Sequence, residues 1–129
     1  MKKNDTLLIV EDEENILYGM QSVLSCHLDF ISEVYTARNG KEALTIIQNK
    51  PVSMIVTDLR MPEMDGIEAT FRLRDKGVKT PIIAVTAFAF DQDRNRILEA
   101  GCDDYISKPI FSAILKERIR YWLNEKRKL

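Results

Sequence analysis

Met54-Ile55-Val56-Thr57-Asp58 is a short apolar run that breaks off at a carboxylate. Two other stretches repeat the design: Leu7-Leu8-Ile9-Val10 stops at Glu11-Asp12, and Ile82-Ile83-Ala84-Val85 stops at Thr86. Continuous apolar character in so short a run, rich in β-branched side chains, marks a strand covered on both faces, as in a parallel sheet. The pattern therefore predicts strands over 7–10, 54–56 and 82–85. Weaker strands are expected over 33–37 and 104–107, the latter opened by the turn Ala100-Gly101-Cys102-Asp103.

Helical spacing fills the intervals. Over 15–28, Ile16, Met20, Val23 and Leu24 fall on one side. Asn39 followed three residues later by Glu42 reads as a capping box opening a helix through Gln48, with Ala43, Leu44 and Ile47 on its apolar face and Pro51 beyond its end. Asp65 is expected to cap a helix over 66–76 that Gly77 ends, and Asp91 to cap another that stops at Gly101. The last helix is expected over 112–125, with Leu115, Ile119, Trp122 and Leu123 at helical spacing; Lys126-Arg127-Lys128 at its end suit the helix dipole. Strict alternation of strand and helix implies an α/β fold, a doubly wound three-layer sandwich with right-handed crossovers. Alternation alone leaves the sheet order open, but it puts the functional crevice beyond the carboxyl ends of the strands.

Composition bounds the function. The 129 residues carry 19 Lys+Arg against 20 Asp+Glu, a net charge of −1, so no overall basic field exists to drive binding to nucleic acid or to acidic membranes. With 45% hydrophobic residues the chain is no disordered acidic tail. We expect a single domain over 1–129 with its core at about 6–124 and no output domain. Cys26 and Cys102 lie far apart without a CxxC spacing, and His27 is the only histidine, so neither a zinc site nor a disulfide framework is suggested. Both cysteines read as reduced thiols, and His27 as a helix-end residue. The apolar run after Met1-Lys2-Lys3 is too short for a signal peptide and nothing approaches a membrane span, which makes a cytoplasmic location the expectation.

Asp12 and Asp58 stand at the ends of two apolar strands with Glu11 beside them. Like charges about 4 Å apart repel by about 4 kcal/mol at an effective dielectric of 20, so carboxylates gathered there need a proton or a cation. Oxygen ligands shared with phosphate suit Mg²⁺. Taken singly, each remains equally an ordinary loop acid. Lys108, fixed before Pro109, projects toward the same crevice, and Thr86 ends a neighbouring strand. Together, cation, ammonium and hydroxyl would neutralise and hold a phosphoryl group on Asp58, an aspartate acting as nucleophile. There is no GxxxxGK[ST] loop, no GxGxxG, no GxSxG elbow and no Cys/His pair at catalytic spacing. Met54, Met61 and Met64 read as packing residues.

With these residues in place, the chain resembles the response-regulator receiver domain of two-component phosphorelays, from Leu7 to Leu123. Four elements carry the resemblance, in order: the acidic pair after Ile9-Val10; the stretch from Ile55 through Asp58 and Met61-Pro62 to Gly66; Pro81-Ile82-Ile83-Ala84-Val85-Thr86-Ala87; and Gly101-Cys102-Asp103-Asp104-Tyr105-Ile106-Ser107-Lys108-Pro109. The resemblance implies a flavodoxin-like (βα)5 fold with sheet order 2-1-3-4-5. It implies that Asp58 accepts a phosphoryl group from a phosphohistidine on a sensor histidine kinase or histidine phosphotransfer protein. It further implies that Asp12, Asp58 and the backbone carbonyl of Arg60 hold Mg²⁺, with Glu11 acting through its water. Lys108 would bridge to the phosphoryl oxygens, and the Lys108–Pro109 peptide would be cis. Thr86 and Tyr105 resemble a switch pair that repacks the surface of helix four, strand five and helix five toward a downstream protein target, an attached domain or a phosphorylation-dependent dimer.

Departures from the family pattern are visible. The acidic pair is Glu-Asp where Asp-Asp is more frequent. Phe111 stands where relatives often carry a capping Asp or Asn, which leaves Ser112 as the expected cap. Phe88 and Phe90 follow Thr86; Phe88 would either shield the phosphoryl group from water or pack with Phe90 against helix four. Two other classes remain to be separated from a phosphoacceptor module that turns over no external product. An aspartyl-phosphate hydrolase of the haloacid-dehalogenase kind carries a second acid two residues after its nucleophile, where Arg60 stands here. A pseudo-receiver, binding partners without phosphorylation, has no need for Asp12, Asp58, Thr86 and Lys108 together.

Overall fold

The computed structural model describes residues 5–27, 31–61, 64–87 and 91–127, with 25–27, 91–93 and 125–127 described through their backbone alone. Five strands and five helices alternate: β1 Asp5–Val10, α1 Glu14–His27, β2 Ile31–Ala37, α2 Gly40–Asn49, β3 Met54–Asp58, α3 Gly66–Asp75, β4 Ile82–Thr86, α4 Asp91–Ala100, β5 Asp104–Ser107 and α5 Ser112–Arg127. All strand pairs are parallel, in the order β2-β1-β3-β4-β5. The doubly wound architecture and its sheet order are those expected.

The apolar runs explain the layers. Successive strand residues face opposite sides of the sheet, so Leu7, Ile9, Met54, Val56, Ile83, Val85 and Ile106 pack with Leu17 and Leu24 of α1 and Leu115, Ile119 and Leu123 of α5. Their neighbours Leu8, Val10, Ile55, Ile82 and Ala84 pack on the other face with Ala43 of α2, Leu73 of α3 and Ile97 of α4. Met54, Met61 and Met64 are buried packing residues, and Cys102 is a buried free thiol whose pKa burial raises. Cys26 and His27 fall in the last turn of α1.

Asn39 and Asp65 cap their helices as expected: Asn39 Oδ1 accepts the Glu42 N–H at 2.9 Å and Asp65 Oδ1 the Glu68 N–H at 2.8 Å. Two expected caps are corrected. Asp91 is itself the first residue of α4, and the position before it lies outside the described residues. Ser112 is likewise the first residue of α5, so Phe111 occupies the cap position; its carbonyl accepts the Leu115 N–H at 3.1 Å. The reason is that backbone bonding, rather than the presence of a hydroxyl, fixes where the helix begins. Strands also run past their apolar cores: β3 takes in Asp58, paired with Val85, and β4 takes in Thr86, paired with Ser107. Both side chains are thereby set on the rigid sheet instead of on loops.

Candidate functional site

The carboxyl ends of β1, β3, β4 and β5 converge on a cleft of about 230 Å³ lined by Glu11, Asp12, Asp58, Arg60, Thr86 and Lys108, with Glu13 and Ala87 at its border. Central strands hold the two innermost acids: Glu11, next after β1, donates its N–H to the Ala37 carbonyl at 2.9 Å, and Asp58 is the last residue of β3. Glu11 and Asp58 are buried; Asp12 is exposed. One carboxylate oxygen from each can lie within 4.8 Å of the others.

The Lys108 side chain compensates charge in this cleft. The Lys108 ammonium sits 3.2 Å from Asp58 Oδ2 and 3.8 Å from Glu11 Oε1. The Lys108 N–H donates to the Thr86 carbonyl at 2.8 Å, which ties this residue to the end of β4; the Lys108–Pro109 peptide is cis. Burial alone would lower the Lys108 pKa, but its hydrogen bond to Asp58 and the surrounding carboxylates hold it above the ordinary lysine value. Asp58 Oδ1 accepts the Arg60 N–H at 3.3 Å.

Glu11 carries the residual strain of the cluster. Burial first, and then the Asp58 charge and a hydrogen bond with Asp12, push its pKa from 4.5 to about 7, despite the Glu13 N–H donated to Glu11 Oε2 at 3.2 Å. A buried acid that sheds its proton only near neutrality is what a carboxylate cluster built for a cation presents without one. The all-oxygen donor set suits a hard divalent ion, so the residues fit Mg²⁺.

Thr86 is buried at the end of β4 beside the cleft. Tyr105, half-buried, pairs with Ala84 in the β4–β5 register and shares the sheet face of Thr86. Phe88 and Phe90 lie outside the described residues. The expected site residues from Glu11 to Lys108 are thus brought to one crevice, with Tyr105 one strand away. Two contributors were not foreseen. Glu13 follows the acidic pair in a loop with no periodicity to betray it. Thr57, just past the strand expected over 54–56, donates its hydroxyl to the Asp58 carbonyl at 2.9 Å.

A family model, the response regulator receiver domain, matches residues 7–120. The chain belongs to this family. It is a receiver domain homologous to those of two-component sensor kinases and response regulators. The sensor histidine kinase RcsC of Salmonella typhimurium is 30% identical over 126 residues, covering 97% of this chain. The chain spans only 13% of that relative's length. Among solved structures, a receiver domain protein of Methanospirillum hungatei JF-1 superposes with TM-score 0.87 at 30% identity, covering 96% of this chain and 97% of that one. The receiver domain of a sensor histidine kinase from Pseudomonas aeruginosa PAO1 superposes with TM-score 0.82 at 30% identity, covering 94% and 98%, and holds a magnesium ion in its active site cleft. No helix among the described residues of this receiver domain is long and apolar enough to cross a membrane.

Proposed function

We propose that Asp58 of this receiver domain takes a phosphoryl group from a phosphohistidine on a sensor histidine kinase or a histidine phosphotransfer protein. The observation that carries the reading is the Lys108 ammonium 3.2 Å from Asp58 Oδ2, inside a cleft that two further carboxylates share. An Asp58 carboxylate oxygen forms a bond to phosphorus as the phosphorus–nitrogen bond of the donor breaks. The electron pair of that bond leaves on the ring nitrogen, and with its other nitrogen protonated the donor departs as neutral imidazole. Lys108 then faces the phosphoryl oxygens in place of a bare carboxylate, and the Thr86 hydroxyl supplies a donor to them.

Glu11, Asp12, Asp58 and the Arg60 carbonyl are the residues that would hold Mg²⁺, Glu11 through a water molecule; the magnesium in the Pseudomonas aeruginosa relative supports this assignment. Bound there, the ion supplies neutralisation of the charge shared between carboxylates and phosphoryl oxygens. Thr86, drawn toward the phosphoryl group, leaves room into which the Tyr105 ring turns, which reshapes the surface of α4, β5 and α5 for a downstream partner or a second copy. Residues 1–129 act as one receiver unit that catalyses its own phosphorylation and slow dephosphorylation, with the cytoplasm as its place of action.

The test is intact mass after incubation with a small acyl phosphate, with and without Mg²⁺, for wild type and Asp58→Asn. A single phosphoryl adduct that needs both Mg²⁺ and Asp58 is expected. A folded sample that forms no adduct and binds no beryllofluoride overturns the proposal in favour of a phosphorylation-independent binding module.

A further inference from the structure

We infer that Arg94 is a positioning residue that holds the Tyr105 ring in the half-buried place it has in this structure, taken as its resting place; the inference rests on Asp58 as phosphoacceptor with Thr86 and Tyr105 as its switch. Ile97 of α4 is fully buried on the sheet face that carries Ala84, Thr86 and Tyr105. Arg94 precedes Ile97 by three residues, hence by about one turn on the same side of α4. Its guanidinium carbon lies 5.7 Å from the centre of the Tyr105 ring, within the range of a cation–π contact.

The surroundings single this cation out. Tyr105 borders a groove of about 590 Å³ together with Arg94, Lys108, Phe111, Ile114 and Arg118. Arg118 is held by both oxygens of Asp104 at 2.8 and 2.7 Å, and Lys108 by Asp58 at 3.2 Å. Among the described side chains those two cations answer to carboxylates, whereas Arg94 lies over an aromatic face. The attraction acts only while the ring remains beneath the guanidinium. Inward rotation, over the small side chain of Ala84 and toward Thr86, takes the ring away and forfeits the contact. Arg94 therefore weights the equilibrium toward the resting state and raises the threshold for activation. A cation–π contact at an exposed position corresponds to a shift of roughly two- to five-fold in such an equilibrium. By linkage the same factor appears in the affinity for any phosphoryl mimic that favours the inward ring.

The experiment uses protein labelled with 3-fluorotyrosine, in which Tyr105→Phe assigns the Tyr105 resonance, titrated with beryllofluoride in the presence of Mg²⁺. Arg94→Ala and Arg94→Gln are expected to bind the mimic about two- to five-fold more tightly. In both, the free-state Tyr105 resonance should move toward its saturated position, and Arg94→Lys should stay nearer to wild type. In a Tyr105→Leu background Arg94→Ala should leave the affinity unchanged, because the ring through which it acts is gone. Equal affinity in wild type and both neutral variants overturns the inference, as does an undiminished gain in the Tyr105→Leu background, which would place the effect in α4 itself. A wild type that fails to bind the mimic at all overturns the phosphoacceptor reading instead, and the brace with it.

Discussion

Glu11 couples the chemistry of the cleft to the stability of the protein. Its pKa of about 7 in the folded state stands above the ordinary 4.5, so between these values the native protein holds a proton that the unfolded chain has lost. Stability therefore falls as pH rises through this window, and the penalty is complete above about pH 7. Glu11→Gln, which carries no charge at any pH, should exceed wild type in metal-free denaturation at pH 8 by on the order of 2 kcal/mol, with the gap closing toward pH 4. Urea titrations of both proteins at these pH values measure it; a gap independent of pH would remove the charge account. The site's acids were legible in sequence because each interrupts an apolar run at the same place in the pattern. Their energetic inequality was not, since burial differs between adjacent residues: Glu11 is buried and Asp12 exposed.

Among the helices, α3 starts tightly against the backbone of the reacting residue. The Gly66 N–H donates to the Leu59 carbonyl at 3.0 Å, and a Cβ at Gly66 would overlap the Asp58 carbonyl oxygen and stand 3.1 Å from the Thr57 hydroxyl. Only a residue without a side chain lets the helix begin there. Gly66→Ala is expected to destabilise the fold by about 1–3 kcal/mol, as overpacking does, and to slow adduct formation by displacing the end of β3. Chemical denaturation and the rate of adduct formation test the two effects separately. At the start of α5 the opposite change is available. Phe111 holds the cap position and is 63% exposed. Phe111→Asp supplies the missing acceptor to the free N–H groups of the first turn and should stabilise by about 1 kcal/mol, seen as a raised Tm. Helix existence was legible from spacing, and so was the start of α5 at Ser112, while the residue that caps α4 or α5 was not, because a polar residue near a helix start can equally cap it or begin it.

At the scale of the whole molecule, one arginine joins segments that sequence keeps apart. Arg74 of α3 donates to the Gly101 carbonyl at 2.9 Å, to the Val78 and Thr80 carbonyls at 2.9 and 2.8 Å, and to Asp103 Oδ2 at 2.9 Å. Asp103 Oδ2 in turn accepts the Ile82 N–H at 2.9 Å, so the clamp also secures the start of β4. Arg74→Ala strands several partly buried acceptors and should cost about 2–4 kcal/mol in denaturant titrations, with the phosphoryl adduct still forming on the folded fraction. Nothing local announces such a clamp. A basic residue in the last turn of a helix reads as a dipole partner, and the same holds for the Asp104, Arg118 and Trp122 cluster, whose Trp122 Nε1 donates to Asp104 Oδ2 at 2.9 Å. The layers and the strand ends were visible because they repeat along the chain; these polar ties occur once, between residues far apart in sequence.

The order of the strands has a consequence in time as well as in space. β1, β3 and β4 are flanked by neighbours on both sides, whereas the edge strands β2 and β5 each have one neighbour among the described residues, and β5 is only four residues long. Backbone amides of β1 and β3 should accordingly trade their protons for solvent deuterons only when the entire chain unfolds, and those of β5 through a smaller, more frequent opening. Asp58 would then be anchored in the most persistent part of the protein while Tyr105 rides on the part that loosens first. A signal written at the first is then read at the second without the core being undone.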